Sequence, residues 1–431
     1  MKNAVIRSCY KNMVNISIIM PVFNTGKYLR ESITSILKQT YTEFELICVN
    51  DASSDDSYEI LREFQQQDSR IVVIDHEDNC GAAVSRNDGL RIAKGEYVIF
   101  LDSDDYFYQD MLKVSYSYAV KEHADVVIFG SETVDKGLLK KSGYRFQHID
   151  SARKKELFLP KVRHVPWDKL VRRKILMDHD IWFQDILTNN DVFYSFSTIL
   201  VAEQIVVCDS HLLKYRYGRQ GSLTDIRFSE KNCIVEAFYA LFCFHIRNEI
   251  EERLTEVLMN IIADNIQLYL CDETYPLKLR MDSLKYLLGC KDMVEALSQC
   301  EIKNILYPHN KKFVQKLIRG GEVCNIRYHQ YYLEGIEEII SERKKDNMKI
   351  ALWGCGQNGR KLLQLLENVN IAVNFVIDED PHLHGKVFEK YLIQSYDEIA
   401  DHISTVLITN LEYKEAVERR AVGKEIIYVW R

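Results

Sequence analysis

Short apolar runs alternate with helix-like segments between residues 16 and 133, and this alternation restricts the fold more than any other feature of the chain. Strand-like runs at 16–20, 44–49, 71–74 and 97–101 are separated by single segments whose apolar residues recur at helical spacing. This pattern is typical of βαβ units in a parallel sheet that is covered on both faces. Right-handed crossovers bring the C-terminal ends of the strands to one edge, where ligands of such sheets bind.

The remainder of the 431-residue chain changes character twice, which suits two or three domains at roughly 150 residues each. Residues 137–222 are aromatic-rich and irregular, and residues 227–347 have a helical pattern, with helices predicted at 232–254, 258–270 and 331–343. From residue 348 onwards the pattern is again α/β.

The composition is that of an ordinary soluble globular protein, with 47% hydrophobic and 28% charged residues. It excludes a disordered, collagen-like or small disulfide-stapled chain. The 56 basic and 63 acidic side chains give a formal net charge of −7, so no overall positive field attracts nucleic acid or anionic lipid. We therefore expect no nucleic-acid partner.

The 11 cysteines are scattered without a Cys-x-x-Cys pair, which indicates reduced thiols that serve as small core residues in a cytoplasmic protein. Residues 1–15 contain no apolar stretch typical of a secretion signal. No apolar run reaches the roughly 18 residues that a membrane span needs. The best run, at 234–244, is short and contains Glu236. We expect a cytoplasmic chain with no transmembrane segment.

Polar residues follow four of the predicted N-terminal strands, at the edge where ligands of parallel sheets bind. They are Pro21-Val22-Phe23-Asn24, Asn50-Asp51-Ala52-Ser53-Ser54-Asp55, Asn79-Cys80-Gly81 and Asp102-Ser103-Asp104-Asp105. Taken singly, each has a structural explanation, such as a turn, a helix cap or a solvated acidic loop. Their joint occurrence at one edge indicates a binding site.

Three carboxylates, those of Asp102, Asp104 and Asp105, directly follow the fourth apolar run and repel one another. A bound hard dication is the usual compensation for such a cluster. In extended backbone Asp102 and Asp104 point to the same side, so one could hold a sugar hydroxyl and the other a metal that bridges to a diphosphate. Asp51 could accept a hydrogen bond from a base N–H, and Arg86 is placed to balance the carboxylates.

At these residues the run from 16 to 105 resembles the nucleotide-binding half of a family 2 glycosyltransferase with the GT-A fold. The matching segments are Pro21-Val22-Phe23-Asn24, the Val-Asn-Asp-x-Ser-x-Asp segment at 49–55, Gly81 with Arg86-Asn87, and Asp102-Ser103-Asp104. Ala52 stands where the family usually has glycine, which affects only the shape of the loop.

The resemblance predicts an α/β fold in three parts. They are a GT-A nucleotide-sugar-binding domain at 15–225, a helical middle region at 226–347 and a small C-terminal Rossmann-like α/β domain at 348–431. It implies an inverting, metal-assisted glycosyltransferase that uses Mg²⁺ or Mn²⁺ and a nucleotide-sugar donor, a UDP-sugar. The acceptor would be a glycan or lipid-linked glycan in the synthesis of a bacterial polysaccharide, with peripheral association at the inner face of the membrane.

The resemblance also assigns roles to individual residues. Asp51 would bind the base, Asp102 the ribose and Asp104 the metal ion, and Asp191 would be the catalytic base. The other donor-binding residues would be Pro21, Phe23, Asn24, Gly81, Arg86 and Arg219.

The resemblance extends to about residue 224. The segment at 167–170, Trp-Asp-Lys-Leu, resembles the family's Trp-Asn-Lys-Leu, although a core aromatic explains Trp167 equally well. In the segment that carries the base, Asn190 replaces the usual glutamate and Phe193 comes one residue early, while Asp191 remains. A basic loop at 215–223 includes Arg219, for which a surface charge is the alternative.

A second glycine-rich motif opens the last α/β unit. A strand-like run at 349–353 is followed by Gly354, Gly356 and Gly359 and then by a helical stretch, and a second strand ends at Asp378. This is the context of a dinucleotide fingerprint, so a second nucleotide site, for NAD(P) or a nucleotide-sugar, is one interpretation. The other is that the glycines permit only a tight turn and close helix packing. The nearby pair His382 and His384 indicates a loop, not a metal site.

Two other functions remain open. A binding or scaffold protein without turnover is favoured only by the altered segment around Asn190. A bifunctional enzyme with a nucleotide-dependent C-terminal domain is the other. Against an oxidoreductase or epimerase there, residues 413–417 read Tyr-Lys-Glu-Ala-Val and not Tyr-x-x-x-Lys.

Overall fold

The chain forms two compact units, Met1–Glu251 and Glu252–Arg431. The structure, a computed structural model, describes residues 14–135, 138–142, 148–150, 152–216, 233–272, 275–299, 313–315, 317, 349–368, 371–408 and 414–428. The three predicted domains, with boundaries after residues 225 and 347, stay a prediction.

A mixed sheet forms the centre of the first unit. Its strands are β1 (Ile16–Val22), β2 (Phe44–Asn50), β3 (Ile71–Asp75), β4 (Tyr97–Phe100), β5 (Tyr106–Phe107), β6 (Val126–Asp135), β7 (Leu138–Ser142), β8 (His148–Ile149), β9 (Lys169–Arg172) and β10 (Ile205–Arg216). The main strand order is β3-β2-β1-β4-β9-β6-β10-β5. Strands β1 to β4 are mutually parallel where they pair, and β9 runs antiparallel between β4 and β6. The predicted alternation of strands and helices is confirmed over this half.

Helices cover the sheet. They are α1 (Gly26–Leu37), α2 (Ser57–Gln67), α3 (Ala82–Ile92), α4 (Met111–Lys121), α5 (Ala152–Phe158), α6 (Arg173–Asp178), α7 (Asn190–Val201) and α8 (Ile234–Arg247), with a 3₁₀ turn at Leu159–Lys161. Leu29 and Ile33 on α1 join Ile18 of β1 in the buried core on one face of the sheet. On the other face α3 lies close to β1, because a Cβ at Gly89 would stand 2.5 Å from a methyl carbon of Ile19. Close approach requires glycine there.

The second unit combines helices with a small sheet. Its helices are α9 (Glu252–Cys271), α10 (Leu277–Gly289), α11 (Lys291–Gln299), α12 (Gln357–Asn368), α13 (Tyr396–Ile399) and α14 (Lys414–Arg420), with a 3₁₀ turn at Ala400–His402. Its strands are β11 (Ile350–Trp353), β12 (Phe375–Ile377), β13 (Val387–Phe388), β14 (Tyr391–Gln394), β15 (Thr405–Ile408) and β16 (Glu425–Tyr428). Their order is β13-β14-β12-β11-β15-β16, and all pairs are parallel except the β13–β14 hairpin. The helix predicted at 331–343 lies outside the described residues.

Two further expectations concern the cysteines and the membrane. Among the described residues, Cys48, Cys208, Cys233, Cys271 and Cys290 are buried free thiols, as predicted. Cys80 and Cys243 differ, because both are exposed. Within the described part of the chain no helix combines the length and the apolar character that crossing a bilayer requires.

Candidate active site

Asp51 lies directly after β2 and holds the loop that leads into α3. Its Oδ1 accepts hydrogen bonds from the Cys80 backbone N–H at 2.8 Å, and its Oδ2 accepts one from the Gly81 N–H at 2.8 Å. The His76 Nδ1 lies 2.9 Å from Oδ1. Gly81 has a φ of +88°, a conformation that favours glycine. Asp51, His76 and Gly81 therefore meet at the predicted edge.

The acidic segment after β4 is a turn. The Asp105 N–H donates to the Asp102 carbonyl at 3.3 Å, which closes the segment. The expectation that extended backbone aligns Asp102 and Asp104 is therefore wrong, because a hydrogen-bonded turn breaks the two-residue alternation. Asp105 is buried, and burial together with the charges of Asp102 and Asp104 holds the pKa of its carboxyl well above the usual range. Its Oδ2 has no hydrogen-bond partner among the described residues.

Arg216, at the end of β10, fixes this acidic turn. Its backbone N–H donates to Asp105 Oδ1 at 2.9 Å, and its Nε donates to the Asp104 carbonyl at 2.6 Å. Its guanidinium also forms an ion pair with Glu31 and lies over the Tyr28 ring. Arg216 belongs to the basic loop at 215–223, in which Arg219 is the residue predicted from the sequence to bind the donor. The signal was present, since Arg216 is the first basic residue of that loop.

Arg86 on α3 connects the acidic turn to α7. Its Nη2 donates to Asp102 Oδ1 at 3.0 Å, and its Nη1 donates to Asn190 Oδ1 at 3.2 Å. The guanidinium carbon lies 5.2 Å from the centre of the Phe183 ring. The Arg86 side chain is only 7% exposed, so these contacts hold it in one place. The packing of Phe183 against Arg86 was not predicted from the sequence.

Asp191 lies in the first turn of α7, next to Asn190. Burial raises the pKa of its carboxyl to about 6, and the positive charge of Arg86 limits the rise. The negative charge of Asp102 adds to the rise, so Asp191, Arg86 and Asp102 lie within electrostatic reach of one another. A carboxylate with this pKa is ionised at neutral pH and still able to take up a proton.

The end of β1 supplies the remaining predicted residues of this edge. Pro21 lies within β1, opposite Val49 of β2. Phe23 is 45% exposed, unusual for a large apolar side chain next to a buried strand. Asn24 has a φ of +50°, and its Oδ1 accepts a hydrogen bond from the Ser54 N–H at 2.8 Å. Asn24 therefore ties the two loops that follow β1 and β2.

The segment at 167–170 is structural in this fold. Trp167 is buried and stacks on Tyr215, with ring centres 5.4 Å apart. Asp168 and Lys169 form an ion pair whose side chains are fully buried. Burial lowers the pKa of Lys169, and the charge of Asp168 opposes the change. Arg219 lies outside the described residues.

In the second unit Asp378 has a structural environment. Its Oδ2 accepts hydrogen bonds from the Cys355 N–H and Sγ, both at 3.0 Å, and its Oδ1 accepts one from the Asp380 N–H at 3.0 Å. Gly354 has a φ of +104°, and a Cβ at Gly359 would stand 2.2 Å from the Gly354 carbonyl oxygen. A Cβ added at Gly356 would have no atom within 4 Å of it. The structure brings the four residues of the predicted second nucleotide site together at one end of β11: Gly354, Gly356, Gly359 and Asp378.

Comparisons with known proteins identify the first unit. Residues 17–180 match the family model described as Glycosyl transferase family 2. Glycosyltransferase GlyG of Streptococcus pneumoniae serotype 4 is 32% identical over 239 residues, which cover 52% of this chain and 78% of GlyG. The chain belongs to glycosyl transferase family 2. This family 2 enzyme is a glycosyltransferase, as the resemblance in its sequence predicted.

Two further relatives extend the comparison. EpsH of Bacillus subtilis is 33% identical over 209 residues, which cover 47% of this chain and 60% of EpsH. The poly(ribitol-phosphate) beta-N-acetylglucosaminyltransferase TarS of Staphylococcus aureus is 28% identical over 213 residues, which cover 48% of this chain but 36% of TarS. The family 2 enzyme thus spans less than two thirds of EpsH and about a third of TarS.

The fold comparison gives the same architecture. The crystal structure of TarS residues 1–349 with UDP-GlcNAc superposes with a TM-score of 0.62 at 20% identity and covers 78% of this chain and 94% of that one. The GT-A fold class expected from the sequence is confirmed. Residues 346–427 match a different family model, described as C2185-like, N-terminal.

Proposed function

We propose that this enzyme transfers a sugar from a UDP-sugar to a glycan acceptor with inversion and with the help of a divalent cation. The observation that carries the proposal is the double contact of Arg86. One side chain joins Asp102 of the acidic turn to Asn190, which precedes Asp191. One buried cation therefore links the proposed donor-binding carboxylate to the residue that precedes the proposed base, which brings the donor side and the acceptor side of the site together.

On the donor side, Asp51 would accept the N–H of the base. Its Oδ2 accepts one hydrogen bond in the structure and a carboxylate oxygen can accept two, which leaves an acceptor position for a ligand. Phe23 offers an exposed ring beside Pro21, and Asp102 would hold the ribose. The TarS complex with UDP-GlcNAc supports a UDP-sugar as the donor class.

The acidic turn fits a divalent cation. Asp102, Asp104 and Asp105 carry three carboxylates within four residues, and the buried Oδ2 of Asp105 has no hydrogen bond from any described residue. Oxygen ligands of this kind suit Mg²⁺ or Mn²⁺, and Asp104 would hold the ion. When bound, the ion would neutralise the negative charge that develops on the departing diphosphate.

On the acceptor side, Asp191 would take the proton of the attacking hydroxyl. Its pKa of about 6 leaves it ionised at neutral pH, while its burial keeps it more basic than an exposed aspartate. The acceptor oxygen would then approach the anomeric carbon from the side opposite the diphosphate, which inverts the configuration. The name of TarS supports an anionic polymer as one acceptor class.

A thermal-shift screen with UDP, UDP-sugars and a GDP-sugar, each with and without Mn²⁺, tests the donor and the ion together. A ligand of the folded state raises the Tm, so a UDP-specific rise that needs Mn²⁺ supports the proposal. Asp104→Asn should lose the part of the Tm rise that depends on Mn²⁺. Asp209→Asn is the matched control, because Asp209 is an exposed aspartate of the same sheet. Equal rises in both variants would overturn the assigned ion site.

A non-catalytic nucleotide-sugar-binding or scaffold protein is the second candidate, and Asn190 is the residue that favours it. The family's usual glutamate is replaced by an amide that accepts from Arg86, which leaves Asp191 as the one ionisable residue of the pair. Release of UDP from a bound UDP-sugar, measured with purified protein, separates the two candidates. Binding without release over many hours would favour the scaffold.

For the second unit we propose a Rossmann-like module at residues 348–431. Three glycines match the roles of a dinucleotide loop: a tight turn at Gly354, open space at Gly356 and close packing at Gly359. The described residues of this unit, however, include no buried carboxylate oxygen without a hydrogen-bond partner, and Asp378 itself accepts three hydrogen bonds from its own chain. A structural turn is therefore the stronger interpretation. Titration of the full chain with NAD(H), NADP(H) and UDP-sugars decides between them, with Gly356→Val as the variant that should abolish any such binding.

A further inference from the structure

Three side chains that can bind a soft metal meet beside the proposed donor site. Asp51 follows β2, His76 follows β3 and Cys80 precedes α3, so the parallel topology brings them to one edge. A carboxylate oxygen, a ring nitrogen and the Sγ lie within 4.8 Å of one another. Asp51 is buried and His76 is half-buried, while Cys80 is exposed and gives an ion a path of entry.

His76 has a carboxylate at each ring nitrogen. Nδ1 lies 2.9 Å from Asp51 Oδ1, and Nε2 lies 3.0 Å from Asp88 Oδ2. A neutral imidazole carries one N–H and one lone pair, so it can donate to only one of these acceptors. When Nε2–H donates to Asp88, Nδ1 presents its lone pair on the side of Asp51, where a metal ion can accept it.

We propose that Asp51, His76 and Cys80 form a site for a thiophilic divalent cation of the Zn²⁺ type, with a fourth position open to solvent. Sulfur, nitrogen and oxygen ligands in one tetrahedral set are the donors that Zn²⁺ takes in proteins. Ligand bonds of roughly 2.0–2.3 Å in a tetrahedron separate ligand atoms by about 3.3–3.8 Å. The ligand atoms of the present cluster lie within 4.8 Å of one another, so side-chain adjustments would accompany binding.

Asp88 completes the arrangement from the far side of the imidazole. A metal-binding histidine usually donates its other N–H to a carboxylate, which fixes the ring and raises its basicity. The bond from His76 Nε2 to Asp88 is of this kind, and Asp88 also forms an ion pair with Arg91. The imidazole is therefore oriented before an ion arrives.

The surroundings of Cys80 favour a cation. The carboxylates of Asp51, Asp78 and Asp88 surround the thiol with negative charge. The same negative charges attract a divalent ion, and a bound ion deprotonates its thiol ligand. On binding, Zn²⁺ would displace the Cys80 thiol proton and take the Nδ1 lone pair of neutral His76, so one proton is released for each ion.

A consequence for catalysis rests on the proposed function. The Asp51 carboxylate would both ligate this ion and accept the N–H of the nucleotide base. Two positive charges beside Asp51 would repel an N–H donor, so Zn²⁺ and UDP compete. Zn²⁺ should then raise the apparent Kd for UDP in the wild type, while Mn²⁺, which prefers oxygen ligands, should not do so through this site.

Direct metal titration tests the site without a nucleotide. The full chain is titrated with Zn²⁺ against a chromophoric chelator and with Co²⁺ in the near-ultraviolet, where a thiolate–cobalt charge-transfer band reports sulfur ligation. We expect one tight Zn²⁺ and one such band in the wild type. Cys80→Ser and His76→Gln should lose both, and Asp88→Asn should lower the Zn²⁺ affinity roughly 10–100-fold.

Two controls separate this site from other causes. Cys243→Ser removes another exposed cysteine and should leave the Zn²⁺ affinity and the cobalt band unchanged. Asp104→Asn should also keep both, because it alters the acidic turn and not the cluster. Equal Zn²⁺ affinity and an equal band in the wild type and Cys80→Ser would overturn the site, and this exposed substitution tests it even if His76→Gln unfolds. Zn²⁺ binding without competition with UDP would leave the site in place and contradict the proposed role of Asp51.

Discussion

The two units repeat one local arrangement at the ends of their parallel strands. In each, an aspartate after one strand accepts the backbone N–H groups of a glycine-containing loop that follows the neighbouring strand and leads into a helix. Asp51 binds the Cys80 and Gly81 N–H groups in the first unit, and Asp378 binds the Cys355 N–H in the second. Local structure alone therefore does not distinguish a ligand site from a stabilised turn.

What differs is the charge that remains after the internal bonds are made. The first edge adds three clustered carboxylates, a buried Asp105 oxygen without a hydrogen-bond partner among the described residues, and a titratable Asp191. At the second edge, Asp378 accepts three hydrogen bonds from its own chain, and no buried carboxylate oxygen among the described residues of that unit lacks a partner. An excess of unsatisfied polar groups is destabilising unless a ligand compensates it, so the first edge is the one built for a ligand.

The largest effect is expected for Asp191, the proposed catalytic base at the first edge. Asp191→Asn should lower kcat roughly 10²–10⁴-fold, because the amide cannot accept the acceptor proton at neutral pH. The Kd for UDP should stay within about twofold, since the base would face the acceptor. Steady-state transfer assays and UDP titration measure the two effects. Loss of UDP binding with unchanged turnover of bound donor would mean that Asp191 is not the base.

The same substitution should stabilise the protein at neutral pH. The carboxyl has a pKa of about 6 in the folded protein and roughly 3.9 in the unfolded chain, so its ionisation opposes folding above pH 6. Removing it should raise the free energy of unfolding by roughly 1–3 kcal/mol at pH 7.5. The gain should shrink as the pH falls from 6 towards 4 and vanish below about pH 3, where both states are mostly protonated. A destabilised Asp191→Asn at pH 7.5 would contradict the burial of this charge.

A paired substitution tests the comparison of the two edges directly. Asp51→Asn should weaken UDP binding roughly 10–100-fold, since a hydrogen bond to a charged group contributes about 1.5–3 kcal/mol. Asp378→Asn should lower the free energy of unfolding by about 1–3 kcal/mol through the loss of its loop bonds and leave the Kd for UDP unchanged. Urea unfolding and UDP titration of both variants provide the readouts. Loss of UDP binding in Asp378→Asn would show that the second edge contributes to the donor site.

Much of the first edge could be predicted from the sequence, because its signals are local. Alternating apolar runs predict β1 to β4, and parallel pairing then brings Asp51 and Asp102 to the same edge. The spacing of the acidic residues likewise predicts a cluster, although the hydrogen bond that closes the turn at Asp102 was not visible in it.

The contacts that complete the site could not be predicted, because they join residues far apart in the chain. Arg86 and Asn190 are 104 positions apart, and Arg216 and Asp105 are 111 apart. Both contacts depend on how β9 and β10 return the chain to the sheet, where β9 runs antiparallel between β4 and β6. The irregular periodicity of residues 137–222 carries no local signal for that path.

A smaller effect is expected for the pH profile. Transfer should decline as pH falls through about 6, because protonated Asp191 cannot act as a base. Asn190→Glu restores the family's usual pair and adds a negative charge beside Asp191. The new carboxylate would also pair with Arg86, which weakens the attraction of Arg86 for Asp191. The substitution should move the acidic limb of kcat/KM upward by about one pH unit or less. Asn190→Gln is the uncharged control, and identical limbs in the two variants would exclude electrostatic coupling at this position.

The smallest expected effect concerns the two loops themselves. Ala52, after β2, has a φ of +55°, while glycine occupies the position after β11, where Gly354 has a φ of +104°. A left-handed alanine is strained by roughly 1–2 kcal/mol, and the greater unfolded-state entropy of glycine offsets about 0.5–1 kcal/mol of that. Ala52→Gly should therefore raise the free energy of unfolding by about 0.5–1 kcal/mol, whereas Gly354→Ala should lower it by at least as much. Urea unfolding at fixed pH measures both, and a destabilising Ala52→Gly would mean that the Ala52 methyl group contributes packing that outweighs its backbone strain.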